Sequence, residues 1–171
     1  MARPSERHLS EYFDAFGPAL VLYARQWVGD DASGDLVQNA FLSLMAQANP
    51  VQNVKAWLFR AVRNAALNEI RHRRVKREHS RRVAATGQAW FESGLDDLLD
   101  ARAAQDALAH LDRPLREVVT LRIWGQMKLA EIAELLGEPI STIHSRYTAA
   151  LSAVGKRMVS PCKTQDSKIP K

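Results

Sequence analysis

The chain has almost nothing from which to build a covalent or metal framework. Its 171 residues include a single cysteine, Cys162. A lone thiol closes no internal disulfide and offers no Cys-x-x-Cys spacing. The five histidines, His8, His72, His79, His110 and His144, lack the pairing that brings two imidazoles onto one zinc ion. No metal and no cofactor are therefore expected. Strict alternation of apolar and polar residues is nearly absent, which argues against a sheet. No run approaches the ~18 apolar residues of a membrane span, and the N-terminus lacks the apolar core of a signal peptide. The expectation is a cytoplasmic protein with no membrane insertion. Serines and histidines have no partners at triad-like intervals, and no glycine-rich phosphate loop is present. An enzyme is not expected.

What the sequence does have is helical periodicity and positive charge. Hydrophobic residues make up 46% and charged residues 25%, an ordinary globular balance, with a formal net charge of +5. That charge makes an acidic polymer a reasonable partner without proving one. Apolar residues recur at intervals of three and four, predicting an all-α fold. Phe13, Phe16, Leu20, Tyr23 and Trp27 trace the first stripe, with Gly17-Pro18 as an expected break or kink. Residues 29–34 read as a turn into a second helix whose inward side takes Val37, Ala40, Phe41, Leu44 and Ala48, with Asp35 and Gln38 opposite. Asn49-Pro50 is expected to end it. Asn53 is a candidate N-cap for a third helix reaching about Arg77, and a basic run, Arg71 to Arg82, begins at its end. On that helix Trp57 reads as core and Phe59 as the more exposed aromatic.

The pattern weakens between Glu78 and Ala104, then returns. The expected organisation is therefore two small helical domains, 8–77 and 105–158, around a flexible linker, 78–104, carrying a short helix near Leu95. A disordered polar tail, 159–171, follows. In the second domain Asp112 and Pro114 mark a helix start. Leu129, Ile132, Ala133 and Leu136 form the buried side of a short helix closed by Gly137. Pro139 opens another, with Ile140, Ile143, Tyr147, Ala150 and Val154 inward. Two helices joined by a short glycine-containing turn form a helix-turn-helix. The outward side of the last helix carries Ser141, Thr142, His144, Ser145 and Arg146 near its N-terminus, where a recognition helix meets base edges and phosphates. A solvated bundle face is the plain alternative.

These segments also resemble a known family. Leu121 through Gly137 followed by Ser141 to Tyr147 is similar to the C-terminal domain of extracytoplasmic-function sigma factors, which binds the minus-thirty-five promoter element. The resemblance implies DNA contacts at Thr142, His144, Ser145 and Arg146. Thr148 and Ala149 stand where relatives often carry basic residues. Asp35 through Leu42 resembles the family's D-L-V-Q-E-x-F-L segment, which docks on RNA polymerase and implies contacts from Asp35, Gln38, Asn39, Phe41 and Leu42. Asn39 replaces the usual glutamate. Asn53 through Leu67 resembles the segment that opens the minus-ten element. It implies that Lys55, Arg60, Arg63 and Arg71 hold the strand backbone, that Asn64 and Asn68 read base edges, and that Phe59 offers a stacking face. The implied partners are core RNA polymerase, promoter DNA and, as in many relatives, an anti-sigma factor. A stand-alone helix-turn-helix regulator is the rival reading. It needs no docking surface between Asp35 and Leu44, whereas a sequestering decoy needs no DNA contacts.

Overall fold

The computed structural model describes residues 6–79 and 107–159. Among them is no strand, and six helices have described bounds: α1 (Glu6–Val28), α2 (Asp30–Met45), α3 (Val54–His79), α4 (Arg113–Ile123), α5 (Leu129–Leu136) and α6 (Ile140–Val159), with residues 107–109 helical as well. The short helix expected near Leu95, most of the linker and the tail with Cys162 lie outside the described residues. Val159, assigned to the tail, closes α6.

Local chemistry explains most element ends. α1 runs through Pro18 without the expected break. A proline forfeits one ladder hydrogen bond, but the helix has packed residues on both sides of it, with Leu20, Tyr23 and Ala24 buried beyond. Gly29 then turns the chain in one residue, at φ 82° and ψ −179°, a backbone state open to glycine and little else. The segment read as a turn over 29–34 is helical from Asp30 onward. α2 ends at Met45, before Asn49-Pro50, and leaves Ala48 exposed rather than inward. Asn53 caps α3 as its type predicts, its Oδ1 accepting from the Ala56 N–H at 3.0 Å. Asp112 occupies the N-cap of α4 with proline in the first turn. In α5 the Glu131 carboxylate accepts from the Lys128 N–H at 2.7 Å, the return half of a capping box. Gly137 ends α5 in the left-handed conformation, φ 69° and ψ 32°.

The helices do not form two separate cores. One apolar cluster joins Leu20, Tyr23, Val37, Leu44, Leu58, Phe59 and Val62 from α1–α3 to Val118, Leu121, Met127, Ile132 and Ile143 from the C-terminal half. A second cluster packs Leu22 of α1 against Leu108, Leu111, Val119 and Ala150. Burying each large aliphatic side chain contributes about 1.5–3 kcal/mol. Two helical domains joined by a linker is the observed architecture, and the described halves of the chain also share a packed seam. Ile140, expected inward, is 55% exposed at the start of α6. The inward side of that helix begins at Ile143, three residues on.

Candidate functional site

Three exposed faces and one covered stripe hold the singled-out residues apart from Phe41. On α2, Asp35, Gln38, Asn39 and Leu42 are all exposed. Leu42 (56% exposed) and Met45 extend the same side with apolar surface, since residues three or four apart share a helix face. Phe41 is buried, as the periodicity predicts, and meets Phe13 with ring centroids 5.3 Å apart. It supports this face from beneath.

α3 splits its polar residues between two adjacent stripes. Arg60, Asn64, Asn68 and Arg71 are exposed, spaced so that they rise along one side of the helix. Arg71 donates to Asn68 Oδ1 at 3.4 Å. The neighbouring stripe of Lys55, Phe59 and Arg63 faces the C-terminal half instead. Phe59 has no exposed surface, so the expectation that it is the open aromatic is overturned, while Trp57 is only partly buried. The Phe59 ring packs edge-on to Tyr23, centroids 5.4 Å apart. A Cβ added to Gly125 would stand 3.2 Å from that ring and 2.6 Å from the Leu121 carbonyl oxygen. Only a residue without a side chain lets the α4–α5 loop close over Phe59. In the same loop Gln126 is left-handed at φ 48°, a conformation that costs a non-glycine residue about 1–2 kcal/mol. Its carbonyl accepts from the Lys55 ammonium at 2.9 Å.

Arg63 is engaged as well. Its Nε donates to Glu117 Oε1 at 2.8 Å, and the Tyr23 hydroxyl donates to the same oxygen at 2.6 Å. Glu117 is a buried carboxylate, 5% exposed. Burial, then the charge of Glu117, pushes the Tyr23 phenol well above its ordinary range. Burial alone would draw Arg63 down, but the hydrogen bond and charge of Glu117 outweigh it and leave its pKa raised. Two guanidinium groups approach the Trp27 ring, Arg63 at 5.9 Å and Arg113 at 5.1 Å from its centroid. Sequence reasoning passed over Glu117. A signal was there: it sits one turn before Leu121, a charge on an otherwise apolar stripe.

On α6 the first turns present Ser141, His144 and Ser145 to solvent, with Thr142 and Arg146 partly buried. The Ser145 hydroxyl donates to the Ser141 carbonyl at 2.9 Å. Arg146 pairs with Glu138 of the preceding turn at 3.1 Å. No group of three or more potential metal ligands occurs among the described residues.

A helix-turn-helix beside a helical unit with an amide- and arginine-bearing stripe is the layout of a two-part promoter-recognition protein. Residues 12–75 match the family model for sigma-70 region 2, and residues 101–154 match that for sigma-70 region 4. The RNA polymerase sigma factor SigV of Bacillus subtilis is 26% identical over 125 residues, 71% of this chain and 72% of that protein. The ECF RNA polymerase sigma factor SigL of Mycobacterium tuberculosis is 29% identical over 152 residues, 83% and 84% of the two chains. Among solved structures, the sigma factor RpoE in complex with the anti-sigma factor NepR from Bartonella quintana superposes with a TM-score of 0.74 at 26% identity, covering 91% of this chain and 99% of that one. The chain belongs to the sigma-70 family, in its extracytoplasmic-function group. It binds core RNA polymerase and promoter DNA and directs promoter-specific initiation.

Proposed function

We propose that the exposed faces divide the work of initiation among them. The α2 face of Asp35, Gln38, Asn39 and Leu42 docks on polymerase, its polar rim and apolar end suiting another helix pair. Arg60 and Arg71 hold the backbone of the unpaired minus-ten strand while Asn64 and Asn68 read base edges. Lys55 and Arg63 join them once their own stripe is uncovered. Ser141, Thr142, His144, Ser145 and Arg146 meet the minus-thirty-five duplex. The region boundaries are 8–77 and 105–158, with 78–104 between them. The observation that carries this reading is the α3 stripe, four solvent-facing polar residues at helical spacing within the matched region 2.

The energetics are coherent. Opening one base-pair step costs on the order of 1–2 kcal/mol in stacking, and capture of a splayed base returns about 1–3 kcal/mol. Mounted on one polymerase, the two DNA contacts become effectively intramolecular and gain affinity without new interactions. The chain itself is non-catalytic and acts in the cytoplasm, where polymerase performs the chemistry. No described helix is long and apolar enough to cross a membrane. An anti-sigma protein is a fitting regulator, as in the RpoE–NepR complex.

The test is run-off transcription with purified core polymerase and a promoter library. The expected result is defined start sites above the core-alone background. Their absence sinks the initiation role. Arg146→Ala should weaken binding of upstream duplex by about 1–3 kcal/mol. Asn64→Ala should spare that binding but lose activity on duplex promoters and recover it on pre-melted templates.

A further inference from the structure

The seam between regions 2 and 4 occupies the very cations that strand binding calls for. Arg63 donates to Glu117 at 2.8 Å and Lys55 to the Gln126 carbonyl at 2.9 Å. Both acceptors belong to region 4. A carboxylate oxygen offers a guanidinium the same charge-assisted acceptor as a phosphate oxygen. We infer that Glu117 is an internal stand-in for a DNA phosphate, a latch that keeps region 4 closed over the Lys55–Phe59–Arg63 stripe until the nucleic acid takes its place on Arg63. The inference rests on the assignment of Arg63 to the strand backbone.

Several features of the seam support a latch rather than an incidental ion pair. Glu117 is buried and its Oε1 accepts from two donors, Arg63 and Tyr23. Removing either donor leaves a carboxylate in apolar surroundings short of a partner, a costly state. Arg113, on the same helix as Glu117, approaches the Trp27 ring from region 4 while Arg63 approaches it from α3 of region 2. Without the Glu117 charge these two cations share one ring uncompensated. The α2 face and the Arg60–Asn64–Asn68–Arg71 stripe stay exposed in the closed arrangement. The closed chain can therefore dock on polymerase while half of its strand-holding cations are engaged. A partner that binds the open form better shifts the balance toward it.

The experiment uses the full chain and two readouts: hydrogen exchange of residues 54–66, and affinity for a short labelled random-sequence single strand without polymerase. Glu117→Gln keeps the shape and removes the charge. It should speed exchange along the covered stripe and tighten strand binding by about tenfold, because apparent affinity scales with the fraction of chain that is open. Adding Arg63→Ala should cancel that gain. Tyr23→Phe, which removes one donor and keeps the ring, should give a smaller change in the same direction and serves if Glu117→Gln fails to fold. Unchanged exchange and affinity in both variants overturn the latch. Faster exchange without tighter binding overturns the phosphate mimicry and the strand role of Arg63. Run-off transcription by the unaltered chain reports separately on the initiation role.

Discussion

Replacing Phe59 with alanine separates a structural role for this ring from a stacking role. The ring is fully buried where α3, Tyr23 and the Gly125 loop meet. A phenyl group of this kind buries about 200 Å², worth up to ~5 kcal/mol at about 25 cal/mol per Å². Phe→Ala changes in well-packed cores cost about 3–5 kcal/mol, and the edge contact with Tyr23 places this site toward the upper end. Against a whole-domain stability of about 5–15 kcal/mol, that loss is large. Urea unfolding followed by circular dichroism should show the midpoint falling by roughly 2 M at a slope near 2 kcal/mol per M. Because the seam joins both halves in one core, the parent chain should unfold in a single transition. A loss below about 1 kcal/mol, or two separate transitions in the parent chain, would refute the shared core.

Other perturbations probe the remaining features. Gly137→Ala forces a side chain into the left-handed conformation at φ 69° with open space around it, so the cost should be backbone strain alone, about 1–2 kcal/mol, read as a lowered thermal midpoint. Asp35→Lys and Leu42→Ala alter exposed positions and should weaken capture by core polymerase while leaving the thermal midpoint nearly unchanged. A midpoint drop would place those residues in the core. Tyr23 predicts alkaline lability. Its folded pKa is raised above the unfolded value near 10 by burial and by Glu117, so above about pH 10 the unfolded chain holds fewer protons than the folded one and stability falls as pH rises. Tyr23→Phe should flatten that part of the stability–pH curve.

Most local structure was legible in the residues themselves. The Asn53 cap, the left-handed Gly137 and the proline-led start of α6 each follow from chemistry within one or two turns of chain. The misreadings share a different origin. Pro18, an expected break or kink, lies inside a helix that runs on past it to Val28. Ile140 lies at the edge of an apolar stripe, where helix geometry alone leaves burial undecided until a neighbour is placed. Phe59 was read as exposed because nothing within α3 shows that a loop more than sixty positions later closes on it.

The sequence by itself determined the all-α class, the helix-turn-helix and the polar stripes that define a promoter-recognition factor. Periodicity and capping act over a few residues, so they are written in short words. Only the tertiary structure decided which stripe of α3 is open and which is shut. That choice depends on contacts spanning 94 residues from Tyr23 to Glu117, 54 from Arg63 to Glu117 and 71 from Lys55 to Gln126. The helix-turn-helix half therefore does more than form its own helices: through Glu117, Gln126 and the Gly125 loop it engages the Lys55–Phe59–Arg63 stripe of the other half.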